Sequence, residues 1–200
     1  MGEIKIFGKW DVEQIQLKDE GLKKYINLSP VFMPRSGGRH AKKQFHKSKM
    51  NIVERLMNKL QVPGHRSKKH IITSGRATGK TQIHYKIVKT VLERIEKETK
   101  KNPIEVLVVA LQNSALREEV TQYQVGGIMV RRAVITSPQR RVDLALSNIV
   151  QAAYRKSFSH KETMVDTLTS EILGAYANDS NKSEAIKEKD RLEREAEGAR

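Results

Sequence analysis

Residues Ser74-Gly75-Arg76-Ala77-Thr78-Gly79-Lys80-Thr81 bring a glycine, a lysine and a hydroxyl together in the order of a phosphate-binding loop. A P-loop needs a first glycine five positions before the Gly-Lys pair, because its backbone N–H groups must wrap the phosphates. Ser74 holds that position here, and Gly75 comes one residue late. No later apolar strand ends in an aspartate that could order magnesium. The central apolar run, Val106 to Leu111, ends instead in Gln112-Asn113. An NTPase using Gly79, Lys80 and Thr81 is therefore the remote reading. A basic helix start that meets an RNA phosphate accounts for the same residues.

Other catalytic chemistry finds no footing. The six histidines, His40, His46, His65, His70, His84 and His160, pair with no cysteine and no nearby acid at metal-ligand spacing. The chain has no cysteine, which excludes disulfides and thiolate chemistry and permits an intracellular site. Glu118-Glu119 has no convergent acid or base partner. Neither a catalytic role, nor a metal, nor a cofactor is expected. No apolar run is long enough for a membrane span, and the first residues lack the pattern of a signal peptide. A cytoplasmic location and no membrane partner follow as expectations.

Charge placement is the strongest signal. The net charge is +15, and the pI of about 10.0 points to a polyanionic partner. Residues 1–34 carry five bases and five acids, and residues 93–200 carry eighteen bases and seventeen acids. Residues 35–92 carry fifteen bases and one acid, Glu54. Solubility would be served equally well by interspersed charge. A concentrated, acid-free stretch repels itself, whereas each phosphate it neutralises releases counterions and adds affinity. The expected RNA contacts are Arg35, Arg39, Lys42, Lys43, Lys47 and Lys49 in the run Arg35–Met50, and Arg66, Lys68, Lys69, Arg76 and Lys80 in the loop-like run that follows.

The elements that position these bases are mostly helical. Loose alternation over Ile4–Leu17 predicts a short strand or an extended arm, and Asp19–Tyr25 one or two helical turns. Apolar residues at i, i+3, i+4 and i+7 spacing predict a helix over Asn51–Leu60 and another over Ile83–Glu98, the latter with a stripe of Ile83, Ile87, Val88, Val91, Leu92 and Ile95. Asn102-Pro103 opens a helix that is apolar on nearly every face, as a central helix should be. Val120–Val125 and Ile128–Thr136, joined by Gly126-Gly127, predict a hairpin. Ser137-Pro138 starts a helix to about Lys156. A further helix spans His160–Tyr176, with Val165, Leu168 and Ile172 inward. Asn181 with Glu184 resembles a capping box for a last helix to about Glu197. That helix is charged on all sides, so it should face solvent or lie along a partner.

Two arginine pairs stand out. Arg140 and Arg141 fall in the first turn of a helix, where cations oppose the macrodipole at a cost of about 0.3–1 kcal/mol each. A bound phosphate would reverse the sign; otherwise the side chains point to solvent and the cost is tolerated. Arg131 and Arg132 are adjacent in a strand and so project to opposite faces. The exposed apolar tip around Tyr123, Val125, Ile128 and Met129 suits insertion into RNA or against a neighbour, unless the hairpin folds flat onto the helices.

These residues add up to a resemblance. Ile4-Lys5-Ile6-Phe7-Gly8-Lys9-Trp10, Gly38-Arg39-His40-Ala41-Lys42-Lys43 and Ile52-Val53-Glu54-Arg55-Leu56 occur in order. Asn102-Pro103-Ile104-Glu105-Val106-Leu107-Val108, Arg117-Glu118-Glu119, Ser137-Pro138-Gln139-Arg140-Arg141-Val142-Asp143-Leu144-Ala145 and Glu184-Ala185-Ile186-Lys187-Glu188-Lys189 follow. Together they resemble the universal small-subunit ribosomal protein seven family in its archaeal and eukaryotic form. The resemblance implies a mainly α fold: a bundle of about six helices with one protruding β-hairpin and an extended basic N-terminal arm. It divides the chain into 1–50, extension and arm, and 51–200, a helical rRNA-binding domain with the hairpin near 118–136. It implies a structural constituent of the small ribosomal subunit that binds the 3′ major domain of small-subunit rRNA and nucleates head assembly. Exit-site tRNA, the outgoing mRNA, and head and platform ribosomal proteins would lie nearby. The family's RNA contacts map onto the basic arm, Arg131 with Arg132, and Arg140 with Arg141. Relatives often carry bases just before the hairpin glycines, where this chain has Gln122, Tyr123 and Gln124; residues 65–79 also differ from the family. A regulatory RNA-binding protein is the alternative within the same chemistry.

The charge argument makes a direct prediction: affinity for RNA falls by orders of magnitude between low and moderate salt, read as the slope of log affinity against log salt concentration.

Overall fold

The computed structural model describes residues 4–66, 69–70 and 77–200. Its elements run α1 (Glu20–Lys23), α2 (Ile52–Leu60), β1 (His65–Arg66), β2 (Lys69–His70), α3 (Thr81–Thr99) and α4 (Pro103–Asn113). They continue with β3 (Glu118–Val125), β4 (Ile128–Ile135), α5 (Pro138–Ser157), α6 (Met164–Tyr176) and α7 (Glu184–Glu197). The architecture is mainly helical with one long antiparallel hairpin, β3–β4, and a two-residue ladder, β1–β2.

α4 is the centre. The Asn102 side chain accepts from the Ile104 N–H at 3.1 Å, and Pro103 occupies the first helical position. Ile104, Val106, Leu107, Val108, Ala110 and Leu111 are all buried. α3, α5 and α6 pack around them, and only a narrow edge carrying Glu105 and Val109 meets water. Each fully buried leucine or valine there contributes about 1.5–3 kcal/mol of transfer free energy.

The N-terminal segment is neither a strand nor an extended arm. Ile6 and Trp10 exchange backbone hydrogen bonds of 2.9 and 3.1 Å across a tight turn. Ile6, Phe7, Trp10 and Val12 enter the same core as the helices. Gly8 is required in that turn. Its φ is +70°, and a Cβ would meet the Phe32 ring at 2.8 Å. Phe7 packs edge-on against Trp10 and Tyr85, with ring centroids 5.8 and 4.9 Å apart. The alternation in the sequence reflects a folded-back turn that buries every apolar side chain it can.

Three helix readings need correction. In α3 the buried residues are His84, Val88, Val91, Leu92 and Ile95, while Ile83 is 50% exposed. The stripe starts on His84, whose Nε2 lies 2.7 Å from the Ala77 carbonyl. α6 starts at Met164, four residues after the expected His160. A reciprocal capping box between Thr163 and Asp166 sets that start. Hydrogen bonds from Thr163, then from Arg94, hold the exposed Asp166 carboxyl down at about 2. The cap of α7 is Ser183, not Asn181; its Oγ accepts from the Ile186 N–H.

α7 also does not stand free in solvent. Ala185, Ile186 and Ala196 are buried, and the helix packs against β3, α5 and α6. Small residues do this work, which is why no broad apolar stripe marks the helix. At its start lies the fully buried carboxylate of Glu171. It accepts from Ser183 Oγ at 2.7 Å, the Ala185 N–H at 2.9 Å and Lys156 Nζ at 2.9 Å. A negative charge at a helix N-terminus is favourable, and here it locks α5, α6 and α7 together. Glu171→Ala is expected to cost roughly 3 kcal/mol, because it strands a cation and two donors, as measured by chemical denaturation.

Candidate nucleic-acid interface

The basic run 35–50 is a loop tied at both ends. At its start, the Ser36 N–H and Oγ–H both donate to Glu54 Oε1 at 2.7 Å. At its end, the Asn27 amide donates to the Lys49 carbonyl, and the Ile52 N–H donates to the Asn27 carbonyl at 3.0 Å. Glu54, the single acid of residues 35–92, is buried and spent on this tether. It therefore screens none of the outward cations.

Between the ties the chain makes two short 3₁₀ turns, Arg39–Ala41 and His46–Lys49. The first follows Gly37 and Gly38, with φ of +63° and +81°, and the second follows Phe45 at +62°. These tight turns leave Arg35, Arg39, Lys42, Lys43, Lys47 and Lys49 all exposed. Arg39 Nε donates to the Ser36 carbonyl at 3.0 Å. Lys47 pairs with Asp143 on α5.

Asp143 joins the loop to the body. Its Oδ2 takes Lys47, and its Oδ1 takes the buried Arg55 guanidinium at 3.0 Å. Arg55 also donates to the Tyr25 carbonyl at 2.7 Å. Burial pushes the Asp143 carboxyl up, but hydrogen bonds and charge from Lys47 and Arg55 outweigh it and leave the group below its ordinary value.

The first turns of α5 hold the arginine pair, and both find partners within the chain. Arg140 forms a bidentate fork on Glu119, at 2.6 and 2.7 Å. Arg141 reaches Asp19 at 2.9 Å and the Leu116 carbonyl at 3.1 Å. Internal acids, rather than bare solvent, face both guanidinium groups within the chain. The acids answer the macrodipole cost that the two cations incur. The arginines differ in access: the Arg141 side chain is 15% exposed and the Arg140 side chain 55%. Arg140 can offer its outer face to a phosphate, while Arg141 braces α1 and the hairpin's root.

Glu119 belongs to β3, so the same turn of α5 also carries the hairpin. The ladder runs without a bulge from Glu118 opposite Ile135 to Val125 opposite Ile128. Gly126 and Gly127 close it with φ of +56° and +86°, as a tight two-residue turn requires. The base is clamped by the C-terminus: the Ala133 N–H donates to the Ala199 carbonyl at 3.2 Å, and Arg200 pairs with Glu118 at 2.8 Å. From Thr121 to Arg132 every residue is exposed. Gln122 and Arg131 still line a cavity with Glu195, Gly198, Ala199 and Arg200, and beyond them the hairpin projects by roughly 10 Å, at about 3.4 Å per residue. Arg131 and Arg132 sit opposite Gln122 and Thr121, where the hairpin leaves the body.

The second basic run is described in part. Lys68 and Arg76 lie outside the described residues, and Arg66 and Lys69 are placed by their backbone pairing across β1–β2. Lys80 is exposed at the N-cap of α3, with Gly79 before it at φ +72°. His70-Ile71-Ile72-Thr73, before this turn, has the residue types of a strand, and residues 71–73 of it lie outside the described residues.

Sequence reasoning missed Lys59, which stands half-buried beside Asp143 on the face of α2 that also carries Arg55. Their i, i+4 spacing was a legible signal.

Fold and charge together define a helical, RNA-directed binding protein with a tethered basic loop and a projecting hairpin. The comparisons agree. The family model for ribosomal protein S7p/S5e matches residues 22–200. The chain is 47% identical to small ribosomal subunit protein uS7 of Nanoarchaeum equitans, over 99% of this chain and all of the relative. It is 45% identical to the uS7 of Archaeoglobus fulgidus, over 99% of this chain and 96% of the relative. It is 44% identical to a Methanococcus maripaludis uS7, over 99% and 100% of the two chains. The chain belongs to the ribosomal protein S7p/S5e family, whose members are structural and non-enzymatic. The NTPase reading is set aside on that ground. No helix among the described residues is long and apolar enough to cross a membrane.

Asp143→Ala should cost roughly 3 kcal/mol, since it leaves Arg55 buried without its carboxylate, and should speed proteolysis within residues 35–50. The folded carboxyl titrates below its unfolded value. Its stabilisation is therefore present above the ordinary carboxylate pKa and lost as pH falls through the depressed one. The gap between wild type and variant should close in that acid window, as followed by urea denaturation across pH.

Proposed function

We propose that this chain is an rRNA-binding structural constituent of the small ribosomal subunit in the cytoplasmic ribosome. In this reading it binds the 3′ major domain of small-subunit rRNA and nucleates assembly of the head. The observation that carries it is the tethered loop 35–50, whose six bases face outward while the one nearby acid is turned inward. Among the described residues only Lys47 of the six pairs with an internal carboxylate, Asp143, and a phosphate backbone supplies the counter-charge for the rest. The loop would track the backbone through Arg35, Arg39, Lys42, Lys43, Lys47 and Lys49. Arg66, Lys68, Lys69, Arg76 and Lys80 would extend the same track.

Arg140 would exchange part of its fork on Glu119 for a phosphate, and Arg131 with Arg132 would carry the hairpin into RNA. Arg141 has a bracing role in this scheme, because its guanidinium is largely enclosed. The hairpin's outer part would approach exit-site tRNA and the path of outgoing mRNA. Other head and platform proteins would neighbour the helices. Phosphate contacts of this kind fix register and orientation more than sequence, which suits a protein held at one place in an assembly.

The test combines co-sedimentation with small subunits in high salt and footprinting on small-subunit rRNA. Retention in high salt and protection within the 3′ major domain are expected. Arg140→Ala should weaken binding and lower the salt slope by about one. Binding to unrelated RNA with equal affinity and the same slope would favour a regulatory binder over a ribosomal constituent.

A further inference from the structure

A groove of about 450 Å³ opens between the end of the basic loop, α2 and α5. Met50 and Val62 contribute apolar surface to it, Val62 being 44% exposed, above the buried Leu146 and Val150. Lys47, Arg55 and Lys59 line it as well, against a single carboxylate, Asp143.

That carboxylate is fully used. One oxygen holds Lys47 and the other holds Arg55. Among the described residues, no carboxylate lies within ion-pair distance of Lys59. Burial, then the charges of Lys47 and Arg55, push the Lys59 ammonium below its ordinary value, with Asp143 acting in the opposite sense. Lys59 is thus a half-buried cation facing a groove that already contains two others. An added anion would relieve the repulsion.

The apolar surface narrows the choice of anion. A bare phosphate gains nothing from Met50 and Val62. A nucleotide carries both chemistries, a charged phosphate and a flat, weakly polar base, and a groove of this size suits a ligand on that scale. Lys47 is shared with the loop 35–50, so a strand tracked by that loop is led to the groove mouth. The geometry points to a subsite for one unstacked nucleotide of RNA, its phosphate on Lys59 and Lys47 and its base against Val62 and Met50. Bulges and loops supply such splayed nucleotides. The inference rests on the RNA-binding reading above and adds a place where a single nucleotide, rather than the backbone at large, is held.

Lys59→Gln and Val62→Ser in the full chain separate the two halves of the subsite. Lys59→Gln should weaken binding to a 3′ major domain rRNA fragment roughly tenfold and lower the salt slope by about one. Val62→Ser should weaken binding several-fold with the slope unchanged. Both should lose protection of the same nucleotide in a footprint. Lys59→Arg, which keeps the charge, should keep the slope even if Lys59→Gln unfolds, and thermal unfolding checks each variant. Wild-type affinity, slope and footprint in both Lys59→Gln and Val62→Ser would overturn the subsite while leaving RNA binding intact, and would leave the groove to an acidic segment of a neighbouring protein. Failure of the wild-type chain to bind the fragment in dilute salt would instead overturn the RNA-binding reading itself, and the subsite with it.

Discussion

Fifteen cations and one carboxylate in residues 35–92 create a repulsion that the fold must answer before anything else can be arranged. It answers with a few buried or half-buried acids placed where the basic chain touches the helices. Glu54 holds Ser36 at the loop's start, and Asp143 holds Lys47 and Arg55 together. Both acids work inward, so the outer face of the loop keeps its positive field. A protein that neutralised those bases more generously would be a more comfortable monomer and a poorer ligand for a polyanion.

The first turns of α5 become a junction through this arrangement. Within four residues they carry Arg140 to the hairpin, Arg141 to α1, and Asp143 to the basic loop and α2. A loop, a hairpin and a short helix, each marginal alone, are thereby referred to one rigid element. This matters for RNA binding, because contacts spread over loop and hairpin add affinity only if the spacing between them is held. The C-terminal residues complete the frame from the other side. Ala199 adds a backbone hydrogen bond to the edge of β4, and Arg200 pairs with the base of β3.

Much of the plan was legible in the residues. The helices with strong apolar stripes or clear starts, α2, α4 and α5, fall close to where periodicity and caps put them, and Gly126-Gly127 marked the hairpin. These signals are local: a 3.6-residue repeat, a proline at a first helical position, a pair of glycines with positive φ. The bases expected to meet RNA in residues 35–50 are indeed at the surface. Where local signals were thin, the reading slipped. The Ile6–Trp10 turn resembles a strand in one dimension, because alternation alone cannot tell a ladder from a folded-back turn. α7 reads as facing solvent or lying along a partner, because its contacts with the chain's own core use two alanines and one isoleucine, which hardly register in a pattern of charges.

What the sequence by itself determined is the chemical class of the partner and the secondary structure around it, since charge imbalance and apolar period are properties of order along the chain. What only the tertiary structure decided is which charges remain available. Arg140 and Arg141 are adjacent and chemically identical, yet Glu119 and Asp19, 21 and 122 residues away, leave one accessible and enclose the other. Among the described residues Lys59 stands beside Arg55 and Lys47 with no acid of its own, because Asp143, 88 residues from Arg55 in the chain, is already shared between those two. Electrostatic partners act through space over a few ångströms, and no spacing rule along the chain reveals that proximity.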